Sequence, residues 1–176
     1  MELSLAPTEE YLKHLKLHEG SKEFVYADTL GILTAGIGHK LTEGEKLIYK
    51  EGDYIKPALR EKWLEDDSIL AYGAALSQGR DLGINNQEMI NALASVNYQL
   101  GTSWYKKFPS AYKALKEGNF SEAIKHIQYK DKDTESQWHK QTPKRTTAFM
   151  DAIRKYEKDS RKKKLEIISS SQGGRH

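Results

Sequence analysis

Apolar positions recur at helical spacing along most of the chain, and one region near the N-terminus has the composition of strands. The segment EEYLKHLKLHE follows Thr8, a candidate N-cap, and therefore predicts a short first helix. After it come EFVYA and ILTAGIG, which are rich in β-branched and aromatic residues and are separated by the turn-like DTLG. The pattern predicts a helix followed by a β-hairpin.

Beyond the hairpin, the spacing of apolar residues is again that of helices. Thr42 with Glu45 has the sequence of a capping box, which predicts one short helical turn. Pro57 at the start and Gly79 beyond the end then bracket one long helix. Further helices are predicted to begin at four signals: Asn85 with Glu88, Pro109, Asn119 with Glu122, and Thr142 with Pro143.

These elements predict an α+β, mostly helical protein with one domain, residues 1–160, divided into two lobes. The hairpin belongs to a small N-lobe of about residues 10–56, and a linking helix of about 57–79 connects it to a helical C-lobe of about 80–158. Residues 161–176 lose the apolar pattern and are expected to form a basic, flexible tail, whose last residues could be an engineered addition. Two lobes joined by one helix leave a cleft, which is a common place for a substrate.

Composition and charge narrow the function classes. The chain has 176 residues, of which 38% are hydrophobic and 30% are charged, as is typical of a globular domain with a large polar surface. It contains no cysteine, which excludes disulfides, thiolate ligands and a cysteine nucleophile, and its six histidines show no metal-site spacing. The net charge of +3 does not by itself indicate binding to nucleic acid. No apolar run approaches the roughly 18 residues that a membrane span needs. We therefore expect no cofactor, no metal, no nucleic acid and no stable membrane association.

Both ends of the chain carry features that bear on where the protein acts. The N-terminal MELSLAPTEEYLKHLK lacks the basic region and apolar core of a signal peptide, so we expect synthesis in the cytoplasm and export with outside help. The basic run RKKK at 161–164 could contact anionic wall polymers, although a solvated helix end is the plainer alternative.

The segment from His18 to His39 holds three residues spaced E-x8-D-x5-T, which are Glu19, Asp28 and Thr34. Glycoside hydrolysis needs one carboxyl that donates a proton and one carboxylate that activates water or attacks the sugar. Glu19 ends the first helix, where exposed carbonyls disfavour a negative charge, and Asp28 begins an open turn that suits an ionised base. Thr34 on the paired strand could hydrogen-bond a water held by Asp28. The plain alternative is that a surface Glu and a turn Asp occur in nearly every protein.

Three separated blocks of the sequence resemble one family. HEG…VYADT…TAGIGH resembles the N-terminal signature of phage-type lysozymes, the muramidase family that includes the lysozymes of T-even bacteriophages. WHKQTPKR is similar to the W-x-x-Q-T-P-x-R segment of that family, and ALASVNYQLG with FPSAYKALKEGNFSEA is similar to its C-terminal helices in order and spacing. The resemblance covers about residues 10–157. It implies the two-lobed lysozyme fold and hydrolysis of the β-1,4 bond between N-acetylmuramic acid and N-acetylglucosamine in peptidoglycan.

The resemblance also assigns roles to the three spaced residues. It implies that Glu19 is the general acid and that Asp28, helped by Thr34, positions the attacking water, so that the reaction inverts the anomeric configuration. Thr142 begins a helix with Arg145 in its first turn, and the resemblance points that turn at the cleft. We therefore expect Arg145 to reach Glu19, to orient its carboxyl and to bridge the lobes.

Candidate substrate contacts and one structural pair follow from the same resemblance. Tyr98 and Gln99, near the end of a C-lobe helix, are implied to face the cleft and touch the glycan, with core packing an equal alternative for Tyr98. Lys40 falls where the T-even lysozymes carry an apolar residue at the cleft lip, which departs from the family pattern. His39 is rejected as a catalytic residue and is expected to pair with an acidic residue of the long helix, with Asp67 the best match.

Two other function classes stay open from the sequence alone. A lytic transglycosylase cleaves the same bond without water and has no need of Asp28 and Thr34, and a non-catalytic peptidoglycan-binding phage protein would carry a decayed site. Within the lysozyme class, one alternative is an endolysin that waits in the host cytoplasm for a phage-encoded membrane pore. The other is a virion-associated lysozyme used at the start of infection. Bacterial peptidoglycan is the expected partner, and a monomer is the expected state.

Overall fold

The computed structural model of the protein describes residues 2–173. Its N-terminal part consists of a helix, a three-stranded antiparallel sheet and a helical turn: α1 (Glu9–Glu19), β1 (Lys22–Ala27), β2 (Leu33–Gly36), β3 (His39–Lys40) and α2 (Glu43–Lys46). The strand order is β1-β2-β3, so the predicted hairpin is present and gains a third strand that pairs with β2. Two predicted caps also form, since Thr8 accepts a hydrogen bond from the Tyr11 amide and Thr42 with Glu45 makes a complete capping box.

The rest of the chain is mostly helical and includes one small hairpin. Its elements in order are α3 (Pro57–Leu82), α4 (Gln87–Leu100), α5 (Trp104–Lys107), α6 (Pro109–Lys116), α7 (Phe120–Gln128), β4 (Tyr129–Asp131), β5 (Thr134–Glu135), α8 (Gln137–Gln141) and α9 (Pro143–Gly173). The N-cap of α4 is Asn86, one residue after the predicted Asn85. Within residues 2–173, no helix combines the length and hydrophobicity needed to cross a membrane, and no cluster of three or more His, Asp or Glu side chains is arranged to hold a metal ion. The fold is α+β and mostly helical, as the sequence predicts.

Helix α3 is longer than predicted because the glycine that ends it is Gly83 and not Gly79. Gly83 has a φ of +71°, the left-handed conformation that favours glycine after a helix. Gly79 is buried within the helix, where a side chain would collide with Ile90 of α4. The glycine at position 79 therefore permits the close packing of α3 on α4.

Two hydrophobic cores divide the molecule, and α1 packs in the larger one. The smaller core lies against the sheet and consists of Val25, Ala35, Leu41, Ile55 and Trp63. Tyr11 and Leu15 of α1 are buried in the C-lobe core instead. Helix α1 falls within the predicted N-lobe, 10–56, but its apolar face is covered by C-lobe helices. Glu19, at the end of α1, consequently lies where the two lobes meet.

Helix α9 extends beyond its predicted end. The sequence pattern predicts a flexible tail over 161–176, whereas the structure continues the helix to Gly173. The described side chains of this extension are exposed, so packing does not hold it. Its Lys, Arg, Leu and Glu residues are strong helix formers, and Arg161 pairs with Glu157 one turn earlier. Intrinsic propensity and pairing along the helix surface therefore account for the extension; residues 174–176 lie outside the described residues.

Candidate active site

Glu19 is the last residue of α1, and its carboxyl is held from the C-lobe. The side chain is 18% exposed and forms an ion pair through Oε1 with Nη1 of Arg145, in the first turn of α9. Arg145 in turn donates from Nη2 to the carbonyl and the hydroxyl of Ser95 on α4, each at 3.2 Å. The predicted contact between Arg145 and Glu19 is present, and two C-lobe helices fix the direction from which the guanidinium reaches the carboxylate.

The other oxygen of Glu19 faces the sheet of the N-lobe. The turn between β2 and β3 comes so close that a Cβ at Gly38 would lie 2.5 Å from Oε2 of Glu19. Gly38 has a φ of +65°, in the left-handed region that favours glycine. The missing side chain at this position makes room for the carboxyl, which lies between Arg145 on one side and the β2–β3 turn on the other.

Asp28 begins the turn that joins β1 to β2, and Thr34 lies in β2 shortly after that turn. Oδ1 of Asp28 accepts hydrogen bonds from the amides of Leu30 at 2.9 Å and Ile32 at 2.8 Å. Thr34 is 4% exposed, and its hydroxyl donates to the Ile32 carbonyl at 3.0 Å. Because that bond uses the hydroxyl proton, the oxygen of Thr34 can accept a hydrogen bond from water, and Oδ2 of Asp28 can accept another. Each of the two side chains therefore has an oxygen that can accept a hydrogen bond from water.

Tyr26 on β1 is a site residue that the sequence analysis missed. It lies directly opposite Thr34 in the sheet, so the two side chains are on the same face. Burial and the nearby charges of Glu19 and Asp28 raise the pKa of the Tyr26 phenol above its ordinary value of 10.0. Its hydroxyl is therefore a neutral hydrogen-bonding group near both carboxylates. The available signal was strand alternation, which places Tyr26 on β1 two residues before Asp28.

Tyr98 joins the two lobes. Its hydroxyl donates a hydrogen bond to the carbonyl of Ile37 in the β2–β3 turn. Its ring is half-buried and packs against the C-lobe core. Burial first, and then the charge of Asp67, raise the pKa of the hydroxyl, which therefore keeps its proton and remains a donor. Tyr98 thus packs against the core and also lies at the cleft. Its contact with glycan stays a prediction.

Gln99 and Thr142 belong to one hydrogen-bonded group around Trp138. Oε1 of Gln99 accepts from the Trp138 indole at 3.2 Å, and its amide donates to the Thr142 hydroxyl at 3.1 Å. The Thr142 hydroxyl also donates to the Trp138 carbonyl at 3.0 Å. The sequence predicts Thr142 as a helix cap, and in the structure its side chain belongs to this hydrogen-bonded group. Within the described residues, the second amide hydrogen of Gln99 is left for a ligand.

The three predicted substrate contacts line one cavity. Lys40, Tyr98 and Gln99 surround a space of about 230 Å³ between the lobes, together with Gly38 and Asp67. Lys40 is exposed on β3, next to the turn that packs against Glu19. The structure therefore brings these residues together beside the candidate acid, and their contact with glycan stays a prediction.

Comparison with known proteins decides the family. The model of the phage lysozyme family matches residues 16–159. The chain belongs to the phage lysozyme family. It is 33% identical over 152 residues to "Probable T4-type lysozyme 2" of Dictyostelium discoideum, which covers 75% of this chain and 86% of that protein. It is 26% identical over 141 residues to "Peptidoglycan hydrolase gp36" of Pseudomonas phage phiKMV, which covers 78% of this chain but only 14% of that protein.

The match to the phage lysozyme family includes every residue of the candidate site. It begins within α1, three residues before Glu19, and runs past Arg145 to residue 159. It ends just before the exposed extension of α9. The family membership therefore applies to the two lobes and their cleft.

His39 in this phage lysozyme family member is held by two carboxylates. Its Nδ1 is 2.6 Å from Oδ2 of Asp67 on α3, and its Nε2 is 2.8 Å from Oε1 of Glu45 in the α2 capping box. Its ring stacks on Trp63, with centroids 4.2 Å apart and planes 18° from parallel. The predicted contact with Asp67 is present, and Glu45 is a second partner. Because both ring nitrogens are bonded and the ring is stacked, His39 ties the edge of the sheet to α3.

The pairing of His39 predicts a pH-dependent stability. Burial lowers the pKa of His39, but the hydrogen bonds and charges of Asp67 and Glu45 outweigh it and raise the pKa above its ordinary value of 6.5. The stabilisation is fully present below pH 6.5 and is lost as the pH rises through the higher pKa of the folded state. We expect Asp67→Asn to lower the free energy of unfolding by about 2 kcal/mol at about pH 6, and the difference from wild type to shrink at alkaline pH. Urea unfolding of both proteins across this range measures it.

Asp66→Asn is the matched control for this prediction. Asp66 precedes Asp67 in the chain, but its side chain is 58% exposed and lies 3.8 Å from the ammonium of Lys62 at the helix surface. Its replacement is expected to change stability by less than about 0.5 kcal/mol and to leave the titration of His39 unchanged. Identical His39 titration curves by NMR in Asp67→Asn and wild type would refute the coupling.

Proposed function

We propose that the protein is a lysozyme, an N-acetylmuramidase that hydrolyses the β-1,4 bond between N-acetylmuramic acid and N-acetylglucosamine in bacterial peptidoglycan. The observation that carries the proposal is the carboxyl of Glu19 held between Arg145 and the β2–β3 turn where the lobes meet, in a chain of the phage lysozyme family. The printed names of two relatives, a peptidoglycan hydrolase and a probable T4-type lysozyme, support the same substrate.

In the proposed mechanism, Glu19 is the general acid and donates its proton to the oxygen of the leaving sugar. Arg145 engages Oε1, so Oε2, which faces Gly38, carries the transferred proton. The role of Arg145 in this mechanism is to orient the carboxyl of Glu19. The Ser95 contacts hold the guanidinium in that position.

Asp28 and Thr34 supply the attacking water on the other side of the sugar. Thr34 accepts one hydrogen bond from the water, and Oδ2 of Asp28 accepts the proton as the water oxygen bonds to the anomeric carbon. The amides of Leu30 and Ile32 donate to Oδ1 and fix the direction of the aspartate. After the reaction, the proton is on Asp28 and the leaving sugar carries the proton of Glu19, so charge and atoms balance.

This mechanism predicts inversion of the anomeric configuration. A water between acid and base requires carboxyls about 6.5–9.5 Å apart, whereas a retaining enzyme brings them to about 5 Å and uses the second carboxylate as nucleophile. We expect the first product of a soluble β-linked glycan fragment to be the α-anomer at the new reducing end. Proton NMR of early time points measures it before mutarotation. An initial β-anomer would make Asp28 a nucleophile, and a 1,6-anhydro product without a reducing end would make the protein a transglycosylase.

The biological role we propose is degradation of the host wall for cell lysis, as an endolysin that acts as a monomer. Its proposed route is release from the host cytoplasm to the peptidoglycan through a membrane pore. A wall-degrading role at the start of infection is the alternative. Wall lysis that starts only after a membrane pore is co-expressed in host cells supports the first role.

A further inference from the structure

Two aromatic side chains are exposed on the sheet beside the candidate site. Phe24 on β1 and Tyr54, in the segment before α3, are 53% and 54% exposed. They are directly opposite each other in an antiparallel bridge, with ring centroids 5.7 Å apart and ring planes tilted by 58°. Single exposed apolar residues are ordinary, but this pair offers a continuous aromatic surface to solvent.

The two rings point away from the core of the N-lobe. Successive residues of a strand point to opposite faces of the sheet. Val25 and Ile55, which follow the two aromatic residues in the chain, are both buried in the small core. Phe24 and Tyr54 therefore lie on the opposite face.

The face that carries the aromatic pair also carries the candidate catalytic residues. Ala35 belongs to the small core, so its neighbour Thr34 points away from it, as does Tyr26 directly opposite. The pairing of β1 with β2 is irregular between Lys22 and Tyr26. Val25 is nevertheless buried, so its two neighbours, Phe24 and Tyr26, both lie on the outer face. Two residues along a strand correspond to about 7 Å, so the aromatic surface begins next to the site.

We propose that Phe24 and Tyr54 form an aromatic platform that binds sugar residues of the glycan strand beyond the bond being cleaved. The face of an aromatic ring carries a partial negative charge, and it attracts the C–H bonds that cover one face of a β-linked pyranose. A glycan strand continues on both sides of the cleaved bond, and Tyr26 makes the platform continuous with the site. This inference rests on the proposed function, since it extends the binding surface for the same substrate.

Two carboxylates next to the platform have partners within the protein. Glu23 is 4.0 Å from the guanidinium of Arg60, and Asp53 accepts a hydrogen bond from the amide of Lys50 at 2.9 Å. The two exposed rings present an apolar surface, which suits the sugar rings of peptidoglycan better than its charged peptides.

The test compares long and short glycans. Replacing both residues, Phe24→Leu with Tyr54→Leu, keeps apolar bulk on the strands but removes the rings. The substrates are soluble, uncross-linked glycan strands of defined length, either just long enough to span the cleavage site or several disaccharides longer. We expect the double variant to lose about tenfold in kcat/KM on long strands, mainly through KM, and to match wild type on short ones. Tyr129→Leu removes a partly exposed tyrosine from the C-lobe hairpin and should change neither value.

The ratio of long-strand to short-strand activity decides the outcome. If this ratio is the same in the double variant and in wild type, the platform is refuted. The proposal that the protein hydrolyses peptidoglycan is not affected by that result. Calorimetric binding of long strands to Glu19→Gln keeps the test separate from catalysis. Adding the two leucine substitutions to Glu19→Gln should weaken its binding of long strands about tenfold. Unchanged binding would refute the platform, and this result does not depend on whether the wild type cleaves either substrate. If the double variant does not fold, the NMR signals of the Phe24 and Tyr54 rings are followed in Glu19→Gln instead. Ring signals that keep their chemical shifts when long strands are added would refute the platform.

Discussion

The Glu19→Gln variant is expected to lose at least ~10²–10⁴-fold in wall-lytic rate while it keeps its fold. Glutamine has the shape of glutamic acid but no acidic proton, so the leaving oxygen of the sugar departs without protonation. Its amide oxygen can still accept the hydrogen bond that Arg145 now gives to Glu19, which preserves the contact between α1 and α9. The decrease in turbidity of a peptidoglycan suspension measures the rate, and thermal unfolding followed by circular dichroism reports the fold.

Glu10→Gln provides the matched control for this prediction. Glu10 is on the same helix and is exposed, so the substitution removes an equal charge far from the turn that packs on Glu19. It is expected to leave both lysis and stability near wild type. Folded Glu19→Gln protein that lysed walls as fast as Glu10→Gln would show that another group donates the proton.

The local features of the fold were predictable because their signals act over a few residues. Thr8 caps α1 by bonding the amide of Tyr11, and the Thr42–Glu45 box closes within four positions of the chain. Composition likewise predicted the β1–β2 hairpin, because the β-branched and aromatic residues and the turn between them lie in one short segment. Such features depend little on the rest of the molecule.

Contacts between distant segments were predictable only where a family resemblance supplied them. Glu19 and Arg145 are 126 positions apart, and no local pattern relates them. The hydrogen bond from Tyr98 to the Ile37 carbonyl, 61 positions apart, was not predicted because its acceptor is a backbone group that any residue supplies. The second partner of His39 was missed for another reason, since Glu45 was already explained by its capping role.

The lobe boundary and the end of α9 show the limits of apolar patterning. The pattern of α1 shows that one face is buried but not which core covers it, and the C-lobe covers Tyr11 and Leu15. The extension beyond residue 160 has no buried face, so the pattern gave no signal, although its residues favour a helix. Propensity and burial are independent sources of helical structure, and only burial leaves a periodic pattern.

Gly38→Ala is expected to lower kcat about 10²-fold, although it adds only one methyl group outside the three predicted catalytic residues. The new Cβ would lie 2.5 Å from Oε2 and 2.8 Å from Cδ of Glu19. The carboxyl must then move by about 1 Å to reach an ordinary contact distance, and a displacement of that size from a reactive geometry costs about two orders of magnitude in rate. Arg145 blocks part of this movement, since Ser95 holds its guanidinium against the opposite oxygen of the carboxyl.

Gly118→Ala separates this displacement from backbone strain. Gly118 has a φ of +73°, close to the +65° of Gly38, but a Cβ there would meet nothing within 4 Å. Both alanine variants should therefore lose about 1–2 kcal/mol of stability through the left-handed backbone, and only Gly38→Ala should lose activity. Initial rates on a soluble glycan, with thermal unfolding of each variant, provide the comparison. Equal activity in the two variants would mean that the β2–β3 turn does not set the position of the acid, whereas a loss confined to Gly38→Ala makes the space at that glycine part of the catalytic geometry.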